Sequence, residues 1–155
     1  MRGLHLKKIL MGYTNIYYES QAADLTKVNA TLANSDLTFA LAAGQRVSGL
    51  FYIPVIVGAT AGGIKWRLNV SSAPTLYSCG SCNYRVAVDT VWLWALSALA
   101  DMSDNAPPIG GNYITGNFHI VANAAAQVTM QFSQNANNAL ATVMQQGSFI
   151  NYYFF

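Results

Sequence analysis

The sequence predicts an all-β protein: an antiparallel β-sandwich or jelly roll with an extended N-terminal arm and an inserted middle loop region. Three observations predict it. Apolar and polar residues alternate with a period of two over much of the chain, as in strands with one buried face. Clusters of small and polar residues separate these runs at short intervals, the spacing of sandwiches and barrels. Only 9% of residues are charged while 53% are hydrophobic, against about 25% charged in ordinary soluble proteins. Neutral strands must therefore supply most of the surface.

The 155 residues fit one domain, which at this length buries roughly 70% of its unfolded surface without disulfides or metals. Residues 1–30 read as an arm. Arg2, Lys7 and Lys8 open it and no acid precedes Glu19. Leu4, Leu6, Ile9 and Leu10 interleave with them, and Tyr13, Tyr17 and Tyr18 follow. Charge for steering beside apolar area for grip suits a docking segment. The sandwich is expected over 31–155, with 76–109 as a possible insertion.

Within it, Leu37, Phe39 and Leu41 alternate with Thr38 and Ala40, giving a strand over 36–42. Val47, Gly49, Phe51, Ile53 and Val55 mark a long strand over 46–57, where Pro54 points to an edge or bulge. Ile64, Trp66, Leu68 and Val70 alternate with Lys65, Arg67 and Asn69, a strand over 63–70 with a wet face. The stretch 71–111 is less regular. It is read as an elaborated connection with one or two strands and a short helix near 93–102, ending in the turn-rich Asp104–Gly111. Strands resume over 112–121, where Ile114, Gly116, Phe118 and Ile120 face one way and Tyr113, Thr115, Asn117 and His119 the other. Further strands are expected at 126–133, 140–145 and 148–154. The last, ending in Asn151-Tyr152-Tyr153-Phe154-Phe155, has aromatics on both faces; left as an exposed edge it would aggregate.

The same composition narrows function. From Asn105 to Phe155 there is no Asp, Glu, Lys or Arg. Such a stretch suits strands buried in a core on one face and against other subunits on the other, because interface cores are poor in charge. A net charge of +2 gives no basic stripe for nucleic acid. The longest apolar run, Val91 to Ala100, is short of the roughly 20 residues of a membrane helix. The opening residues turn polar and aromatic too early for a secretory signal.

Chemistry-bearing motifs are sparse. Cys79-Gly-Ser-Cys82 is a C-x-x-C, but no βαβ pattern places it at a helix start, and no second ligand pair completes a zinc site. Two buried or loop thiols, or a local disulfide, are the alternatives. His5 and His119 stand alone, and His119 reads as a packing or hydrogen-bonding residue. Asp101 and Asp104 are too few for a calcium site and read as turn or cap residues. No nucleophile motif or phosphate loop appears. The expectation is a protein that is not an enzyme and has no cofactor or metal. Nine Tyr, seven Phe and three Trp remain; they could stack on sugar rings, but more often such residues anchor cores and interfaces.

Four segments resemble a β-sandwich module of bacteriophage virion proteins. Asn34-Ser35-Asp36-Leu37-Thr38-Phe39-Ala40-Leu41-Ala42-Ala43-Gly44 resembles its opening strand and Gly63-Ile64-Lys65-Trp66-Arg67-Leu68 its next. Val128-Thr129-Met130-Gln131-Phe132-Ser133-Gln134-Asn135 is similar to its strand-and-loop motif, with Phe132 where the module often has Trp. Gln146-Gly147-Ser148-Phe149-Ile150 resembles its closing strand. The likeness covers roughly 22–75 and 110–155. It implies a trimer-forming jelly roll on the outer surface of a virion. The first role it implies is a capsid decoration or cement protein, whose partners are itself and the major capsid protein, with no nucleic acid and no membrane. Its capsid contact would be made by arm residues Arg2, Leu4, Leu6, Lys7, Lys8, Tyr13, Tyr17 and Tyr18. Phe149, Tyr152, Tyr153, Phe154 and Phe155 would lie in the trimer interface or shared core. The alternative is a tail- or head-fibre tip that recognises host glycans, although no stalk heptads or triple-helical repeats are visible.

Overall fold

The computed structural model describes residues 16–85, the backbone course of 90–96, and 98–155. Twelve strands run β1 (Ile16–Ser20), β2 (Leu25–Lys27), β3 (Ala33–Leu41), β4 (Arg46–Val57), β5 (Ile64–Val70), β6 (Leu76–Arg85), β7 (Thr90–Leu96), β8 (Met102–Asp104), β9 (Gly110–Val121), β10 (Ala126–Ser133), β11 (Thr142–Met144) and β12 (Phe149–Phe154). Among the described residues there is no α-helix. Two antiparallel sheets face each other. The smaller runs β3-β10-β5-β8; the larger runs β1-β12-β4-β9-β6-β7, with β11 and β2 continuing beside β4.

The strand order is that of a jelly roll. Strands β3 to β10 supply its eight positions, four in each sheet, interleaved as two Greek keys. The expected sandwich is therefore present. Strands β12 and β1 then widen the larger sheet beyond β4.

Alternation sorts the side chains. Leu37, Phe39 and Leu41 of β3, Trp66, Leu68 and Val70 of β5, and Val128, Met130 and Phe132 of β10 are buried from one side. Val47, Phe51, Ile53, Val55 and Val57 of β4, with Ile114, Phe118 and Ile120 of β9, close the core from the other. An aromatic stack joins the sheets. The Phe39 ring on β3 lies 4.0 Å from that of Tyr152 on β12, nearly parallel, and 6.0 Å from that of Phe118 on β9. Tyr17 of β1 stacks on Tyr152 from the side at 5.3 Å.

Two glycines make room for this core. Gly49 pairs with Phe118, and Gly116 with Phe51, across β4 and β9. An added Cβ would lie 2.7 Å from Phe118 Cε1 at position 49 and 3.0 Å from Phe51 Cε1 at position 116. Each ring thus covers its partner glycine, so glycine here marks a close approach and not a flexible strand.

The structure corrects several expectations. Residues 76–109 are no insertion: β6, β7 and β8 are three of the eight jelly-roll strands. Their alternation is hard to see because β6 turns Cys79, Ser81 and Asn83 inward and Ser78, Gly80 and Cys82 outward. The helix near 93–102 is absent from the described residues; β7 and β8 occupy that stretch. A short unbroken apolar run does not by itself distinguish helix from buried strand. The arm is shorter than 1–30, because β1 pairs with β12 from Ile16↔Tyr153 to Ser20↔Phe149 and β2 pairs with β11. The last strand, expected to be covered, is covered within the chain itself, between β1 and β4. Pro54 lies on an internal strand, at the gap where β12 pairing ends at Tyr52 and β11 pairing begins at Val55, so its missing N–H leaves that side of the ladder intact.

Phe118→Ala removes a ring that fills the inter-sheet core and covers Gly49. It should destabilise the fold by about 3–5 kcal/mol in urea denaturation; a loss below about 1 kcal/mol would contradict this packing.

Candidate functional site: the outward face of the large sheet

The residues of β1, β12, β4, β9 and β6 that alternate away from the core form the most distinctive surface. Aligned by register, they make successive rows. One row carries Ile16, Tyr153, Ser48, His119 and Ser78; the next carries Tyr18, Asn151, Leu50, Asn117 and Gly80. Then come Ser20, Phe149, Tyr52, Thr115 and Cys82, followed by Pro54, Tyr113 and Tyr84. Across these rows runs an aromatic ladder. Tyr18 stacks on Phe149 at 5.7 Å, Phe149 meets Tyr52 at 5.7 Å, and Tyr52 stacks on Tyr113 at 5.4 Å. Ladder and rim expose Ile16, Tyr18, Leu50, Ile56, Tyr113, Tyr153 and Phe155. These are large side chains of the kind that interfaces bury. Contiguous apolar patches above a few hundred Å² mark interaction surfaces.

Charge is nearly missing from this face. Among the outward residues of these five strands, Arg46 at the start of β4 is the only charged one. The opposite sheet differs: Arg67 pairs with Asp101 at 3.2 Å and donates to Gln131 Oε1, and Lys65 donates to the Ala30 carbonyl. The two outer faces thus have different chemistry, one paired and polar, the other neutral and aromatic.

One part of the neutral face is concave. A groove of about 600 Å³ lies over Gly49, with Leu50, Ile16 and Tyr153 as apolar walls and Ser48, Ser78, Asn117, His119 and Asn151 as polar ones. His119 Nδ1 and Ser48 Oγ share a hydrogen bond of 2.8 Å. The His119 ring lies 5.2 Å from that of Phe155, which is 5.8 Å from that of Tyr153.

The predicted site residues divide accordingly. Tyr152 is a core residue, 5% exposed, whose hydroxyl reaches Glu19 Oε1 at 3.3 Å. Burial raises the Glu19 carboxyl above its ordinary range, more than the Tyr152 hydrogen bond lowers it. Phe154 is half-buried and packs on Tyr152 from the core side. Phe149, Tyr153 and Phe155 belong to the outward face. Tyr17 is in the core cluster and Tyr18 in the ladder. Arg2, Leu4, Leu6, Lys7, Lys8 and Tyr13 lie outside the described residues. Tyr52 and Tyr113 are the ladder members that the sequence reading passed over, although their outward place in alternating strands was a visible signal.

The cysteines are separated by geometry. An offset of three puts them on opposite faces of β6: Cys79 is 1% exposed in the core, while Cys82 points outward. Burial pushes the Cys79 thiol up to about 11 and raises that of Cys82 as well. Asp104 is more than a turn residue. It is buried and receives Arg85, Asn83 Nδ2 at 2.7 Å and the Ala106 N–H at 3.1 Å. This ties β6 and β8, on different sheets, through a paired buried charge. No group of three metal-capable side chains occurs among the described residues.

No family model and no curated protein matches the chain. Among solved structures, a chain from "Structure of infectious bursal disease virus Gx strain" aligns at 12% identity with a TM-score of 0.20, covering 99% of this chain and 45% of that one. The present chain thus spans less than half of that chain's length, and nothing of that virus is carried over at this level of likeness.

In the folded protein at high dilution, a thiol reagent at mildly alkaline pH should label Cys82 and leave Cys79 unmodified until urea is added. Equal labelling of both under native conditions would contradict their placement. Protonated Glu19 is favoured by the fold, since its folded pKa lies above its unfolded one; stability should therefore fall as pH rises through the window just above 4.5. Glu19→Gln should remove that slope in pH-dependent urea titrations, and an unchanged slope would assign it to another group.

Proposed function

We propose that this chain is a non-enzymatic structural protein of a bacteriophage particle, on its outer surface, acting as a homotrimeric capsid decoration or cement protein. The observation that carries the reading is the neutral aromatic face of the large sheet. A free protein with such a face would self-associate, and the Tyr18–Phe149–Tyr52–Tyr113 ladder offers the rigid aromatic anchors that dominate interface energetics. The jelly roll agrees with the resemblance to virion modules, but fold alone leaves function open, since lectins and enzymes share it.

In this reading the aromatic ladder of the outward face joins subunits and the residues before Ile16 reach the major capsid protein. Arg2, Leu4, Leu6, Lys7, Lys8 and Tyr13 would make that contact; Tyr17 and Tyr18 are already engaged in the sheet. Three arms on one trimer raise the effective affinity of weak single contacts. Binding only to the assembled shell would stabilise that shell by mass action.

A second reading, a fibre tip that recognises host glycans, is favoured by one observation, the neutral groove over Gly49.

Light scattering on the purified chain should give a trimer mass. Tyr52→Glu with Tyr113→Glu should give folded monomers, because like charges cannot be buried unpaired. Deletion of residues 1–15 should leave the trimer intact and abolish binding to empty heads of the phage concerned. A wild-type monomer, or head binding unchanged by the deletion, would contradict the proposal.

A further inference from the structure

We infer that the groove over Gly49 is a binding site for a neutral saccharide. This deepens the host-glycan reading and does not depend on the trimer.

The groove lies between outward side chains of five strands, β1, β12, β4, β9 and β6, over the backbone of Gly49. Gly49 forms its floor, and Asn117 leans over Gly80, its register partner on β6. Its Oδ1 would stand 2.8 Å from a Cβ there. The Phe118 ring seals the floor from the core side.

The lining fits sugar hydroxyls. The side-chain amides of Asn117 and Asn151 make no hydrogen bond to any described residue, although both line the groove. Each amide offers donors and an acceptor together, matching hydroxyls that both give and accept. The Ser48–His119 pair adds a second donor–acceptor unit. Tyr153, 39% exposed, offers a flat apolar surface at the rim for the carbon face of a sugar ring.

Absence of charge selects among ligands. Among the described residues, no Asp, Glu, Lys or Arg lines the groove, so a phosphate or carboxylate would be desolvated there without a counter-charge. Arg46 stands two residues before Ser48 on the same face, beyond the lining. A purely apolar ligand would leave both free amides unpaired when water is expelled, which is costly. The volume falls within the range of small-molecule sites and suits a short oligosaccharide.

The test uses the purified full-length chain with cellotriose, maltotriose, lactose and tri-N-acetylchitotriose as neutral probes, and 3′-sialyllactose as an acidic one. Saturation-transfer NMR should show saturable binding of at least one neutral probe, insensitive to added salt. Asn117→Ala with Asn151→Ala should weaken it at least about tenfold, and Tyr153→Ala should weaken it too. Circular dichroism should stay unchanged in these variants, and Asn123→Ala, in an exposed turn, should bind as wild type. The inference is overturned if no neutral probe binds saturably, if only the sialylated sugar binds and salt abolishes it, or if the double-amide variant binds normally. Light scattering on the same samples reports the trimer separately, so failure of one reading does not mask the other.

Discussion

The stack of Tyr152 between Phe39 and Tyr17, with Phe118 beside Phe39, is the contact on which the rest depends. It joins four strands from both sheets, and two of them, β1 and β12, lie outside the eight-stranded jelly roll. Without Tyr152 in the core, β12 would have little reason to extend the large sheet beyond β4, and β1 would have no partner. The stack requires thin backbone opposite it, which Gly49 provides under the Phe118 ring. Tight inter-sheet packing thus fixes Gly49 as glycine from the core side, while the outward neighbours Ser48 and Leu50 border the groove on the other.

That widened sheet creates the surface argued to carry function. Adding β12 and β1 to the β4 edge completes the aromatic ladder, since Tyr18 and Phe149 come from the added strands and Tyr52 and Tyr113 from the jelly roll. The eight-stranded core alone would show only half of it. The neutral face and its groove are therefore products of one architectural step. Association through the ladder and sugar binding in the groove call on adjoining rows with different chemistry, stacked aromatics in one and unpaired amides in the other.

Much of this was legible from period-two patterning. Strands β4 and β10 follow the expected bounds residue for residue, and β3, β5, β9, β11 and β12 differ by a few residues at their ends. These carry large apolar residues facing the core and contrasting residues outward, so alternation is plain. Strand β6 was hidden because Cys79, Ser81 and Asn83 face inward, where Asn83 serves the Asp104 network and Ser81 Oγ accepts from Trp66 Nε1. Its polarity reflects a buried hydrogen-bond system that composition cannot reveal. The site was half legible. The aromatic C-terminus was singled out, but period alone could not say that Tyr152 turns in and Tyr153 out, because both faces of β12 are aromatic. The groove was invisible in one dimension, since its members come from five strands and meet only through register.

The central claim is that the aromatic ladder on the outward face of the large sheet is covered by another copy of this chain. Hydroxyl-radical footprinting of the purified protein measures it directly, by comparing oxidation of Tyr18, Tyr52, Tyr113 and Phe149 with that of Ile109, 64% exposed, and Leu140, 59% exposed, on loops beyond the strand ends. The account predicts strong protection of the four ladder rings at working concentration, lost on dilution, with Ile109 and Leu140 oxidised throughout. Ladder rings oxidised as readily as their exposure in a single chain implies, at every concentration, would contradict it.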